Sequence, residues 1–304
     1  MSSKVNHNRA FSRIKSGINM ILKGLGQIML QENSITGLLF LIGIFYGSPL
    51  MGLAALLAVI CGTGTAYLLK YDKEEIHQGL YGFSAALVGV ATLLFLKSHF
   101  WTWIIVIVGS VLAAMLQHFF LKRKFPAYTF PFVVVTWLIL LVCNQFCPDL
   151  LATPTAAVEN VSDSLSDGFK SFGQVIFQSS LLSGVLFFLA VFISSPIAAL
   201  YGLAAAIISA ILSFYLSIPI TEINLGLYGF NAVLCAIVFA GPQVKDGLWV
   251  LISLLLSLAV SLLMLKIGVT KLTFPFVAAT WITLFLKNRI QQQTHYKIRQ
   301  GIDL

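Results

Sequence analysis

A chain of 304 residues that is 58% hydrophobic and only 10% charged cannot cover a solvated surface, because soluble domains carry about 25% charged residues. The net charge of +8 does not point to nucleic acid, since many of the cations stand at the ends of apolar runs. Residues 1–18 form a basic, polar tail with Lys4, Arg9, Arg13 and Lys15. No short apolar stretch with a cleavage site follows it, so no removable signal peptide is expected. Apolar segments then come at 19–32 and 35–47, both short, and at 49–70, where Pro49 reads as a helix start. The segment 75–96 opens on acidic residues. Asp72 or its neighbours can cap it, and Glu74 and Glu75 suit the first turn of a helix. Two further apolar segments, 100–121 and 126–145, close the first part of the chain. A membrane-spanning helix needs roughly 20 apolar residues. Several runs free of Asp, Glu, Lys and Arg meet that length, and Ser34 to Leu69 and Ser171 to Thr221 are long enough to span twice. Outer-membrane barrels show short alternating strands instead, so these runs predict helices. Cys61, Cys143, Cys147 and Cys235 form no CxxC pair; they read as buried small hydrophobes rather than a disulfide frame or a metal site.

The chain contains a tandem repeat. Gly26-Gln27 with Gln31, Gly37 and Ser48-Pro49 recurs 147 residues on as Gly173-Gln174 with Gln178, Gly184 and Ser195-Pro196. Gly79-Leu80-Tyr81-Gly82-Phe83 recurs at the same offset as Gly226-Leu227-Tyr228-Gly229-Phe230. Thr129-Phe130-Pro131-Phe132 with Thr136-Trp137 recurs at an offset of 144 as Thr273-Phe274-Pro275-Phe276 with Thr280-Trp281. Cations favour the cytoplasmic side of a membrane. That rule puts the N-terminal tail, Lys122-Arg123-Lys124 and the tail with Lys287, Arg289, Lys297 and Arg299 inside. The acidic stretch from Asp149 to Asp167, with Glu159 and Asp163 between, becomes the external loop. Each half then crosses an odd number of times, and the two halves are inverted. Five spans per half satisfy this if 75–96 and its copy are re-entrant, with Thr221 and Glu222 opening the second copy as the acidic residues open the first. The expected organisation is a tail at 1–18, a first membrane repeat at 19–145, an external linker at 146–170, a second repeat at 171–287 and a tail at 288–304.

These three duplicated blocks resemble the urea transporter family, as a bacterial member of it. The matching residues are Gly26-Gln27-Ile28-Met29 followed by Gln31-Glu32-Asn33, then Gly79 to Phe83, then Thr129 to Phe132, each with its second copy. The resemblance implies an all-α membrane protein of two inverted repeats, each with five transmembrane helices and one re-entrant half-helix. It implies a homotrimer in the cell (inner) membrane, with one pore per protomer through which urea moves passively. It also implies pore residues. Gln27 and Gln174 match amide or carboxylate positions beside two urea sites, and Phe83, Phe230 and Phe177 match the walls of flat aromatic slots. Leu30 stands where the family often has the Phe that corresponds to Phe177. Leu87 and Leu234 match apolar lining positions, and Thr129 and Thr273 match central hydroxyls. Gln174 sits where some members carry Glu.

These residue types suit a planar, neutral amide. Leaving water without new partners costs a polar group roughly 2–7 kcal/mol. Gln oxygens, Thr hydroxyls and free backbone carbonyls can replace the lost acceptors, while aromatic faces admit a flat molecule and let it leave. No Asp, Glu, Lys or Arg lies at the matched positions, so a bare ion meets no counter-charge, and no carboxylate or histidine relay for proton coupling is visible. Each residue also has a plain packing role available: Phe facing lipid or a neighbour, Thr bonding its own backbone, Gln bridging two helices. His118, whose repeat mate is Leu262, reads as structural. The alternatives are an ion- or proton-coupled secondary transporter, or a channel for ammonia, short amides or water. Paired histidines and an Asn-Pro-Ala tripeptide, which would favour ammonia or water, are missing from the sequence. No cofactor is implied. No nucleophile, base and orienting group can be assembled, so the protein is not expected to be an enzyme.

Overall fold

The computed structural model describes residues 2–153 and 164–299, and side chains over 14–153 and 165–293. Glu159 and Asp163, and the side chains of Lys4, Arg9, Arg13, Lys297 and Arg299, which the charge map uses, lie outside that description. The described secondary structure is helical apart from one isolated bridge between Leu96 and Leu151. The first part of the chain forms α1 (Ser2–Gly26), a 3-10 turn (Gln27–Met29), α2 (Ser34–Gly47), α3 (Pro49–Leu68), α4 (Lys73–His77), α5 (Phe83–Phe95), α6 (Phe100–Lys122) and α7 (Phe130–Phe146). A short 3-10 turn (Pro148–Leu150) follows. The second part forms α8 (Ser164–Gln174), α9 (Leu181–Ser194), α10 (Pro196–Tyr215), α11 (Ile220–Asn224), α12 (Phe230–Phe239), α13 (Val244–Lys266) and α14 (Phe274–Arg299).

The sequence repeat has a structural counterpart at every step. The second and ninth helices have 14 residues each, the third and tenth 20, the fourth and eleventh 5, and the sixth and thirteenth 23. Ser48 and Ser195 cap α3 and α10 by accepting from Met51 N at 3.3 Å and Ala198 N at 3.4 Å, and Pro49 and Pro196 start those helices as expected. Left-handed backbone recurs at matching places: Leu30 and Phe177, Lys70 and Ser217, Gly79 and Gly226, Lys124 and Gly268, Tyr128 and Leu272. At Gly79 (φ 80°) and Gly226 (φ 77°) the glycine is required by conformation, because only Gly adopts this region without a Cβ clash.

The two parts meet through reciprocal contacts. Thr36 on α2 donates to Ala190 O on α9 at 2.8 Å, and Ser183 on α9 donates to Gly43 O on α2 at 2.8 Å. Phe40 and Phe187 pack edge to face between those two bonds, with centroids 5.2 Å apart. Near the other seam, Trp137 Nε1 donates to Thr270 O at 2.9 Å and Trp281 Nε1 to Pro126 O at 2.7 Å. Under the repeat offsets, each contact in a pair is the other with the halves exchanged.

Several boundaries differ from the sequence reading. The expected span at 19–32 ends at Gly26, because a 3-10 turn and the left-handed Leu30 close it. The segments Ile14–Met29 and Ser34–Gly47 meet at 76°. Helix α1 continues back through the expected N-terminal tail, and α14 runs past residue 287 to Arg299. The segment 75–96 consists of α4, a turn and α5. Asp72 caps it by accepting from Glu74 N and Glu75 N. The second copy opens differently: Pro219 stands at the N-cap with no side-chain bond, and Thr221 and Glu222 lie inside α11, with Glu222 in the first turn. A proline with φ −52° is already set for a helix, so the helix begins ahead of Thr221 without a side-chain acceptor.

Four described helices, α3, α6, α10 and α13, are long and apolar enough to cross a membrane; a fifth crossing follows if the bent pair is counted as one. The helices Phe83–Phe95, Phe130–Phe146, Leu181–Ser194 and Phe230–Phe239 are apolar but shorter. Exposed Leu50, Leu53 and Ile60 on α3, Ile107, Val108 and Met115 on α6, and Leu248, Leu251 and Leu255 on α13 give these helices apolar outer faces. Such faces suit lipid, not water. The chain is an all-α, multi-pass membrane protein.

Candidate functional site between the repeats

The centre of the molecule is built where α7 and α14 begin. Pro131 in the first turn of α7, and Pro275 at the same place in α14, suit a helix start, where the backbone N–H has no intrahelical acceptor. Thr129 and Thr273 immediately precede these helices. Their hydroxyls are 2.6 Å apart and hydrogen-bonded to each other. Thr129 is 3% exposed and Thr273 1%, so each hydroxyl has exchanged water for its own repeat mate.

Phe83 and Phe230 are the first residues of α5 and α12, and Leu87 and Leu234 follow one turn later. A spacing of four puts each Phe and Leu on one helix face. All four are buried in one core cluster that draws residues from both repeats, with Leu30 and Phe177 packed against it. The structure therefore brings the apolar members of the expected site together.

Phe177 and Leu30 are placed by the turns that end α8 and α1. Leu30 N donates to Gln27 O at 3.0 Å, and Phe177 N to Gln174 O at 3.1 Å. Both residues are left-handed, with φ 61° and 58°, where a side chain costs about 1–2 kcal/mol. Buried carboxamides brace the strained turns: Gln31 Nε2 donates to Met29 O at 2.8 Å and Gln178 Nε2 to Ile176 O at 3.0 Å. The same left-handed turn closes the first helix of each repeat. The ring of Phe177 lies edge-on to Phe95 (6.1 Å separates it from Phe132, 6.4 Å from Phe95). A residue of the second repeat thus walls a part of the core formed by the first. Among the described residues neither Phe83 nor Phe230 makes a ring–ring contact.

Gln27 and Gln174 behave differently. Gln27 is half-buried and donates from Nε2 to Gln78 O at 3.1 Å, tying the end of α1 to the turn between α4 and α5. Gln174 is 8% exposed, at the last position of α8. No residue of this set carries a formal charge. Lys23 and Glu32, which straddle Gln27 and Leu30 in the chain, pair with each other at 2.7 Å, and further charged groups lie along the α4–α5 and α11–α12 segments. On the first, Tyr81 donates to Glu75 and lies 3.0 Å from His118 Nδ1, with the Tyr71 ring stacked on His118 at 3.6 Å. His118 is thus tied into a packed polar cluster, the structural role expected of it. On the second, the Lys271 ammonium sits 3.8 Å above the Tyr228 ring.

Other residues of the centre were not singled out in the sequence. Phe132 and Phe276 are 0% and 1% exposed; their signal was present, since both belong to the duplicated Thr-Phe-Pro-Phe block. Asn231 bridges α12 to the start of α14, donating to Leu272 O at 3.4 Å and accepting from Phe276 N at 3.1 Å. Its signal was a break in the repeat, because Ser84 follows Phe83 where Asn231 follows Phe230.

Comparison with known proteins bears on this arrangement. The urea transporter family profile matches residues 18–288. Urea transporter 1 of Ovis aries is 27% identical over 300 residues, covering 90% of this chain and 77% of that protein. Urea transporter 1 of Rattus norvegicus is 29% identical over 241 residues, covering 74% and 63%. The family match embraces both repeats and every residue of the candidate site, and it is to a transporter and not an enzyme; the chain belongs to the urea transporter family.

Proposed function

We propose that the protein conducts urea passively, through a pore at the seam between its two repeats. The observation that carries this reading is the Thr129–Thr273 bond at 2.6 Å, set in an uncharged core. A hydroxyl can accept from and donate to a solute amide. The bond between two neutral hydroxyls is worth only about 0.5–1.5 kcal/mol net, whereas an unpartnered amide in an apolar core costs roughly 2–7 kcal/mol. Urea can therefore part the two threonines and take their hydrogen bonds at small net cost. Phe83, Phe230 and Phe177 form the flat walls on either side of that point. Leu87 and Leu234 line it, and Gln27 and Gln174 offer carboxamides at its two ends. With no charge among these groups, ions are refused and proton coupling has no relay; this disfavours the coupled-transporter alternative.

The reciprocal pairs Thr36–Ala190 with Ser183–Gly43, and Trp137–Thr270 with Trp281–Pro126, are the contacts made by halves related by a two-fold axis. Such an axis in the membrane plane supports inverted repeats of five spans each, with α4–α5 and α11–α12 re-entrant and the solute site at the repeat interface. On this reading 19–145 and 171–287 are the membrane repeats, 146–170 is external, and both tails are cytoplasmic by the positive-inside rule. The family resemblance supports a homotrimer in the cell (inner) membrane, with a pore in each protomer. The test is urea flux through purified Phe230→Ala and Thr273→Val in liposomes. Both are expected to slow urea while keeping the assembly of the wild type; normal flux in both removes the pore from this seam.

A further inference from the structure

The two repeats depart from one another beside the central threonines. In the second repeat, Asn231 places a carboxamide between α12 and α14, with Nδ2 on Leu272 O at 3.4 Å and Oδ1 accepting from Phe276 N at 3.1 Å. These two backbone groups flank Thr273. One turn on, Thr280 Oγ1 lies 4.0 Å from Cys235 Sγ. Every polar group facing this seam thus has a neighbour.

In the first repeat the same backbone surrounds a smaller side chain. Tyr128 is left-handed at φ 49°, as Leu272 is at 45°, and α5 packs on α7 as α12 packs on α14. Ser84 holds on α5 the register that Asn231 holds on α12, so it faces the start of α7. It ends in a hydroxyl where Asn231 carries a carboxamide. Its Oγ is 0% exposed and has no hydrogen-bond partner. Thr136, which matches Thr280, is 2% exposed, and its Oγ1 is also without a partner. Among the described residues, no backbone or side-chain bond reaches Phe132 N or Tyr128 O. By the register of the repeat, this seam holds two buried orphan hydroxyls one turn apart, together with the first-turn amide N–H of Phe132 and the carbonyl of Tyr128. Buried polar groups left alone are rare, and each calls for an explanation such as a bound water or ligand.

We infer that the α5–α7 seam beside Thr129 is a binding site for one small neutral donor–acceptor molecule, either water or the amide of the solute. The second repeat shows what fits: a carboxamide that donates to the residue 128 carbonyl equivalent and accepts from the residue 132 N–H equivalent. Urea presents the same atoms, an N–H beside a C=O. Water needs two to four polar partners, and by the template of Asn231 the groups Ser84 Oγ, Phe132 N and Tyr128 O supply that number. As a urea site it would be a resting place off the central hydroxyl pair, and that arm rests on the function proposed above. As a water site it would keep Thr129 solvated from behind, where Thr273 is braced by protein. In both cases the halves of the pore are unequal: one has its donor–acceptor group built in, and the other borrows one.

The experiment is a high-resolution density map of the wild type in urea-free buffer and in urea, beside maps of Ser84→Asn and Ser84→Ala. Thermal midpoints and urea flux are measured on the same preparations. Density within hydrogen-bond distance of Ser84 Oγ and Phe132 N in both wild-type maps identifies water, and density in urea alone identifies the solute. Ser84→Asn should expel it, bond to Phe132 N as Asn231 bonds to Phe276 N, and raise the thermal midpoint by a few degrees. It should slow urea several-fold only if the occupant is urea. An empty seam in both wild-type maps, where other buried waters are visible, overturns the inference. So does a Ser84→Asn protein that assembles but melts below the wild type, since a closed seam has no room for an amide. Ser84→Ala keeps the test open if the larger side chain does not fold: it should retain the fold and weaken the density. Normal wild-type urea flux with an empty seam defeats this inference alone. A filled seam in a protein that does not pass urea defeats the pore instead.

Discussion

Replacing the two central threonines by valine, singly and together, gives a prediction with a definite sign pattern. Valine keeps the shape of threonine and removes only the hydroxyl. In the resting protein Thr129 and Thr273 satisfy each other at 2.6 Å with 3% and 1% exposure. A single Val therefore leaves one buried hydroxyl alone, at a cost of about 1–3 kcal/mol. During transit the remaining hydroxyl can still bond to urea, so the transit state also loses one partner, worth about the same. The two costs partly offset each other in the barrier, so some slowing remains. Each single variant should be less stable and slow urea by less than about tenfold. The double variant differs. Its resting state has no orphan, because both partners have gone, and stability should recover toward the wild type. Its transit state lacks both acceptors, about 2–6 kcal/mol in all, and each 1.36 kcal/mol is tenfold in rate. Flux should fall by about thirtyfold or more. Stopped-flow urea efflux from proteoliposomes and thermal midpoints in the same detergent measure both quantities. A double variant with wild-type flux, or one whose loss is simply the product of the two single losses, refutes the coupling of the two hydroxyls through transit.

Further outcomes follow from the same geometry. Phe230→Ala opens a cavity beside Leu234 and should raise the ratio of dimethylurea to urea flux above that of the wild type. Gln174→Glu puts a carboxyl at a site 8% exposed. Burial raises a carboxyl above its ordinary value of about 4.3, so flux in this variant should vary between pH 5 and 8 (roughly the window of such a shift), while the wild type stays flat. His118→Leu copies the second repeat at Leu262; it should lower the thermal midpoint by breaking the Tyr81 contact and leave urea flux unchanged, whereas lost flux would point to a histidine relay. Gly226→Ala forces a side chain to φ 77° and brings its Cβ to 2.6 Å from Ser171 N, so the variant should assemble poorly, measured as yield and melting temperature.

Much of this architecture was legible because duplication writes it twice. The Gly-Leu-Tyr-Gly-Phe and Thr-Phe-Pro-Phe blocks mark turns whose backbone must be left-handed or proline-started, and such demands survive in sequence as fixed residue types. Phe83, Phe230, Thr129 and Thr273 came out of those blocks; the two Phe share one core, and the two Thr bond each other. The ends of α1 and α14 were not legible, since a polar helix leaving the membrane looks like a tail. The break at Gly26 was hidden because Ile28, Met29 and Leu30 continue the apolar run through a change of direction. Asn231 was overlooked because reading a repeat rewards what agrees. The informative position was the one at which Ser84 and Asn231 differ. The α11 start was assigned by analogy to Asp72, and Pro219 took the role by a different physical route.

The central claim is tested most directly by stopped-flow urea uptake into proteoliposomes at matched osmolarity, against empty liposomes, with and without a proton gradient. Passive conduction through an uncharged seam requires uptake much faster than in empty liposomes and indifferent to the gradient. Uptake that needs the gradient would return the protein to the coupled-transporter reading. Uptake no faster than in empty liposomes, in protein shown to be folded, would contradict urea conduction altogether.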